Sequence, residues 1–163
     1  MTRKKRVISI IAWLPVSIAY AGNPAGAPRA PSDAGGSSTP VETAWAWIRA
    51  SQYPDLDPGK ACGYFTDRFR NAFVEQWNAM PHIEALGMKV ASCEEAIRKA
   101  ADLQAAAGKS AEILTKTRVE LVEQMPGHAK VRVSYSSGKC GLMMFERRGS
   151  GWAMNEQSKE GCD

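Results

Sequence analysis

Ala129-Lys130-Val131-Arg132-Val133-Ser134-Tyr135, Ser136-Ser137-Gly138 and Cys140-Gly141-Leu142-Met143-Met144-Phe145-Glu146-Arg147 form the stretch from which the fold follows. In its first part apolar residues alternate with polar ones at a period of two, which puts successive side chains on opposite faces of a strand. The Ser-Ser-Gly run is turn chemistry. The second part is apolar at consecutive positions, through Leu142, Met143, Met144 and Phe145, as a strand covered on both faces would be. Upstream, Glu112 to Glu123 reads as a long strand, with Thr117, Val119 and Leu121 on one face and Lys116, Arg118 and Glu120 on the other. Met125-Pro126-Gly127-His128 turns it into the next strand. Downstream, Gly149-Ser150-Gly151 is a hairpin into a fourth strand, Trp152 to Gln157. Four strands joined by short turns make an antiparallel meander.

Before Lys109 the period is helical. Thr39-Pro40-Val41-Glu42 is a capping box with Pro at the first helical position. Val41, Ala44, Trp45 and Ile48 then follow on one face, to about Ser51. Asp57-Pro58 caps a short second helix through Phe65. Thr66 caps a third, with Phe69, Phe73 and Trp77 on one side, and Pro81 to Val90 reads as a loop. Ser92-Cys93-Glu94-Glu95 is a second capping box. It opens a helix with Ala96, Ile97, Ala100 and Leu103 inward, stopped by Gly108. Helices followed by a meander predict an α+β domain, residues 41–163, with the helices packed on one face of a four-stranded antiparallel sheet.

The chain has 163 residues, 44% hydrophobic and 23% charged, and a formal net charge of +4. That excess is Arg3, Lys4, Lys5 and Arg6; setting them aside leaves 17 Lys and Arg against 17 Asp and Glu. The basic cluster, the apolar run from Val7 and the Ala19-Tyr20-Ala21 site read as a signal peptide over 1–21, cleaved before Gly22. Its apolar stretch of about 15 residues is shorter than the ~20 of a membrane span. Residues 22–40 read as a disordered linker rich in Pro, Gly, Ser and Ala. Export accounts for the four cysteines, Cys62, Cys93, Cys140 and Cys162, as two disulfides with three connectivities open. Their spacing lacks the close pairs of a metal site. The balanced charge argues against a nucleic-acid partner.

The order of elements resembles the NTF2-like superfamily, the cystatin-like α+β roll, and in particular its small secreted or lipoprotein-type actinobacterial members. The resembling residues are Trp45 to Ala50, Ala61-Cys62-Gly63-Tyr64-Phe65-Thr66, Ser92-Cys93-Glu94-Glu95-Ala96 and Phe145-Glu146-Arg147-Arg148-Gly149-Ser150-Gly151-Trp152. The resemblance implies a curved sheet with a cavity between it and the helices, and a Cys62–Cys93 bridge. Cys140 and Cys162 are an additional pair. If the last hairpin turns about Ser150, residues whose numbers sum to roughly 300 face each other, which brings Cys162 to Cys140.

The expected function is that of a secreted, non-enzymatic binding or accessory domain at or outside the cell envelope, with no cofactor or metal. A small hydrophobic ligand or an envelope protein is the expected partner. The alternatives are a small pocket enzyme of isomerase or dehydratase type and an interaction protein acting as a homodimer. Trp45, Tyr64, Phe73, Trp77, Tyr135 and Trp152 are the candidate cavity lining, with Asp67 and Glu146 as further polar candidates. No residue is assigned a catalytic role: His82 sits in a loop and His128 in a turn, with no partner in view. Trp47 lies off the apolar stripe of its helix and is read as a rim or interface residue. Lys116, Arg118, Lys130 and Arg132 are read as a solvated sheet face in which Glu112 and Glu120 are interleaved.

Overall fold

The computed structural model describes residues 39–162. The signal-peptide and most of the linker expectations lie outside them. The element order is α1 (Pro40–Ala50), α2 (Pro58–Gly63), α3 (Asp67–Asn78), α4 (Pro81–Ala85), α5 (Cys93–Ala106) and α6 (Ser110–Lys116). The strands β1 (Arg118–Met125), β2 (His128–Ser134), β3 (Cys140–Arg148), β4 (Gly151–Met154) and β5 (Lys159–Glu160) follow. This is an α+β fold: helices first, then a curved open antiparallel sheet in the order β1-β2-β3-β4, with β5 also paired to β3.

The helix starts are set by local chemistry. Thr39 caps α1 in a reciprocal box with Glu42. Asp57 and Thr66 cap α2 and α3 by accepting from Lys60 N–H and Phe69 N–H. At α5 the box is modified. Ser92 Oγ accepts from Glu95 N–H, but the Glu95 carboxylate reaches back to Ala91 N–H at 3.0 Å. Pro81 to Val90 is not wholly a loop. Pro81 at the first helical position starts α4, whose Ile83 is fully buried. The segment after it is clamped by α3. Asn78 exchanges two hydrogen bonds with the Val90 backbone, and Trp77 Nε1 donates to Met88 O at 2.9 Å.

The strand expected over Glu112–Glu123 divides in two. Ser110, Ile113, Leu114 and Thr117 stand at i, i+3, i+4, i+7, and this helical stripe overrides the alternation. Glu112 therefore sits on α6, between Lys109 at 3.0 Å and Lys116 at 3.9 Å. The expected solvated sheet face of Lys116, Arg118, Lys130 and Arg132, with Glu112 and Glu120 interleaved, forms only in part. Lys116 is helical, and on the sheet Arg132 stands opposite Glu120 and Lys130 opposite Glu123, pairing unlike charges across the ladder.

Ala129, Val131 and Val133 of β2 pair with Phe145, Met143 and Gly141 of β3 and form the buried sheet face. Leu142 on the other face is buried as well, as the two-sided apolar pattern requires, whereas Met144 is half-buried. The fourth strand is interrupted. Trp152–Gln157 is extended only to Met154; Asn155–Ser158 loops out, and Ser158 Oγ accepts from Met144 N–H in place of a strand partner. The register sum steps from 299 at Phe145–Met154 to 301 at Leu142–Lys159, so the loop inserts two residues. The outer edge of β4 is covered. Met154 N–H donates to Tyr64 O at 2.7 Å, and Thr66 N–H donates to Met154 O at 2.9 Å.

Two disulfides are present, Cys62–Cys93 and Cys140–Cys162. The first joins α2 to the start of α5 in the core, at 1% and 2% exposure; the second joins β3 to Cys162, two residues beyond β5, and is half-exposed. A thiolate reductant attacks the accessible sulfur first. Differential alkylation with mass spectrometry during graded reduction should therefore show Cys140 and Cys162 released before Cys62 and Cys93. The paired Cys62→Ala/Cys93→Ala change should lower unfolding free energy by about 2–4 kcal/mol.

Candidate functional site

The helices meet the sheet along one aromatic spine. Phe65 packs against Phe69 at 4.6 Å and Phe73 at 5.4 Å between ring centroids, and Trp47 lies 6.0 Å from Phe65. This spine, with the fully buried Trp77, belongs to the main core cluster. Packing is not continuous beyond Phe73. Between α1, α5, α6 and the end of the sheet where β2 turns into β3, a cavity of about 340 Å³ remains. It falls at the small end of the roughly 300–1,000 Å³ that small-molecule sites occupy.

Each wall comes from a different element. Trp47 and Ile48 line it from α1, Ile97, Ala100 and Leu103 from α5, and Ile113 from α6. The sheet contributes Val133, Leu142, Met143 and Met154. The helical contributions follow from spacing, since Ile97, Ala100 and Leu103 stand three residues apart on the inward face of α5.

Of the residues expected to line the cavity, Phe73 and Tyr135 do so. Trp45, Tyr64, Trp77 and Trp152 are outside its wall, each with another place. Trp45 is half-buried against the core, and Trp77 is fully buried, with its indole N–H spent on Met88. Tyr64 is buried where its backbone holds β4. Trp152 lies at the hairpin end of the sheet, with the Arg147 guanidinium 5.4 Å over its ring. Trp47, not Trp45, is the tryptophan of the wall. Its distance from the Val41–Ile48 stripe concealed this, because α1 is covered on two sides.

Asp67 and Glu146 are also outside the wall. Asp67 is exposed in the first turn of α3, 3.8 Å from Arg70, and Glu146 is 3.2 Å from Arg148. His82 and His128 are exposed and do not line the cavity. Among the described residues no group of three His, Cys, Asp or Glu side chains is placed to hold a metal ion, and no helix is long and apolar enough to cross a membrane.

The wall also has a polar fraction that sequence reading missed. Gln52 and Thr117, 6% and 7% exposed, carry Oε1 and Oγ1 atoms that are buried without a hydrogen-bond partner. The same holds for Trp47 Nε1 and Gln104 Oε1 on the same wall. A buried donor or acceptor left unpaired costs about 1–3 kcal/mol, a local cost of this wall, since these four atoms are closed even to a water molecule. Glutamines after a helix end and inside an amphipathic helix give no signal of this in sequence.

Two titratable groups stand out on the wall. Glu112 is held below the usual carboxylate range by hydrogen bonds from Ser136 and Lys109 and by the positive charge of Lys109 and Lys116. Burial holds the Tyr135 phenol well above its ordinary 10.0. Glu112 is thus a weakened base, and Tyr135 a neutral hydroxyl throughout the physiological range.

Comparison with known proteins returns no match among family models, curated proteins or solved structures.

Because the folded-state pKa of Tyr135 is raised, its contribution to stability is complete below about pH 10 and is lost as pH rises towards the folded value. Urea midpoints at pH 9 and pH 11 should show a fall for the native protein that is smaller in Tyr135→Phe. An equal fall in both would place the alkaline sensitivity elsewhere.

Proposed function

We propose that the protein is a secreted, non-enzymatic binding domain of the NTF2-like kind, working at or outside the cell envelope. It holds one small, largely apolar ligand in the cavity between helices and sheet. The observation that carries this reading is the cavity wall itself. Apolar side chains from four helices and the sheet line it together with a few polar residues, Gln52, Gln104, Thr117 and Tyr135. That is the composition of a small-molecule site. The two disulfides fit an oxidising, extracytoplasmic setting.

The pocket-enzyme alternative has less support. Proton abstraction near neutral pH favours a carboxylate whose pKa is raised by an apolar site. The carboxylate of this wall is shifted the other way and is engaged by Ser136, Lys109 and Lys116. The interaction-protein alternative draws on β1, an edge strand where Leu121, Val122 and Met125 are 47%, 42% and 53% exposed. On that reading sedimentation equilibrium would give a dimer, converted to monomer by Leu121→Lys.

The test of the binding reading is a titration with the neutral apolar dye N-phenyl-1-naphthylamine. The dye should bind at one site, with enhanced emission and quenching of tryptophan fluorescence. Ala100→Trp fills the cavity from α5 and should abolish binding while leaving the thermal midpoint at or above that of the native protein. Dye binding that survives this substitution, or no binding by the native protein, would falsify the reading.

A further inference from the structure

The Cys140–Cys162 bridge stands against the chamber in a way that Cys62–Cys93 does not. After β4 the chain loops out through Asn155–Ser158 and returns to β3 as β5. The return has two anchors. The first is buried: Asn155 N–H donates to Met144 O at 2.8 Å, Met144 N–H donates to Ser158 Oγ at 3.0 Å, and Ser158 is 2% exposed. The second is the disulfide, both of whose cysteines are half-exposed, together with the bond from Gly161 N–H to Cys140 O at 2.9 Å. Between the anchors Lys159 and Glu160 pair with Leu142 and Gly141. A ladder of two residues is short even for an edge strand, so the covalent link is the stronger part of the second anchor.

The residues around this anchor are also chamber wall. Lys139 and Gly141, on either side of Cys140, line the cavity, as do Leu142 and Met143. Ser158 and Lys159 line it from the returning segment. The residues on either side of Cys62 and of Cys93 are absent from the wall.

We propose that Cys140–Cys162 is a thiol-exchange site whose state sets how firmly the chamber keeps its guest. Its reactant is a dithiol. One thiolate of the dithiol attacks a sulfur of the bridge; a mixed disulfide forms, and the other cysteine leaves as a thiolate that takes up a proton. The second thiol of the reactant then displaces the remaining cysteine. Two electrons and two protons pass to Cys140 and Cys162, and the dithiol leaves as its own disulfide. Freed at Cys162, the chain peels from β3 as far as Ser158, where the buried anchor stops it. Lys159 then leaves the wall, and the β3 edge at Gly141 and Leu142 is uncovered. Cys62–Cys93, at 1% and 2% exposure, stays closed and keeps α2 joined to α5. The protein thus loses part of a wall and keeps its fold. The proposal rests on the reading of the cavity as a binding site, and its test separates the two.

The full chain is treated with dithiothreitol until alkylation and mass spectrometry show Cys140 and Cys162 free and Cys62 and Cys93 still bonded. Hydrogen exchange at residues 159–162 should then quicken by about tenfold or more, part of the constraint that closing such a loop supplies. The amides of β2 should keep their protection. The dissociation rate of N-phenyl-1-naphthylamine should rise by a similar factor, and reoxidation should restore both rates. Cys140→Ser/Cys162→Ser should show the fast rates without reductant and no response to it. If that variant does not fold, the reduced native protein, made from folded material, gives the answer alone.

Faster exchange at 159–162 with an unchanged dye rate overturns the link to the chamber. Unchanged exchange, or protection lost across β2 and β3 as well, overturns the local release. Both outcomes leave the binding reading standing. Absence of dye binding by the oxidised protein overturns that reading and the proposal with it.

Discussion

Between Pro58 and Thr66 the chain is tied in two directions. Cys62 is bonded covalently to Cys93 at the start of α5. A few residues later the Tyr64 carbonyl and the Thr66 amide close on Met154 at the edge of β4. A six-residue helix has little stability of its own. Here it becomes the junction through which the helical layer is fixed to the sheet. Phe65, between the two ties, is thereby placed against Phe69, Phe73 and Trp47. The same ties protect β4, whose unpaired edge would otherwise present open amides and carbonyls. Spacing between helices and sheet is therefore set at the Phe65 end, and the cavity lies where the aromatic spine stops.

The cavity is a consequence of unequal filling. At the hairpin end of the sheet Phe145 and Trp152 are buried and the space is taken. At the other end β2 offers Val133, β3 offers Gly141, α5 offers Ala100 and its C-cap is Ala107, all small for the gap they face. Close packing is the rule in protein interiors, and a chamber kept open by small residues departs from it.

Much of the fold was legible because its determinants are local. Thr39, Asp57, Thr66 and Ser92 announce helix starts through the hydrogen bonds their side chains make within three residues. The 129–135 alternation announces a half-buried strand. The helix α6 was misread because Glu112 to Glu123 satisfies both periods over its first residues, and the contest is settled by burial of Ser110 and Thr117, which is a tertiary matter. The loop at Asn155–Ser158 was missed for a similar reason: Ser158 replaces a strand partner of Met144, and no property of the residue itself signals that substitution. The site was the least legible part. Aromatic residues were the natural candidates for a lining, but large rings fill space, and four of the six expected side chains plug the core or its edge. Most of the residues that bound the chamber are aliphatic, small or amide-bearing, and they come from eight elements that only the fold brings together.

The wall of the chamber joins Trp47 to Lys159, two positions almost at opposite ends of the described chain. No partly folded fragment can contain such a wall, and a collapsed state with fluctuating packing would lose it first. Occupancy is therefore linked to the whole folded state. Any guest that binds the native chamber, and not the unfolded chain, raises global stability with its free concentration. Resistance to proteolysis would then rise with the free concentration of any such guest.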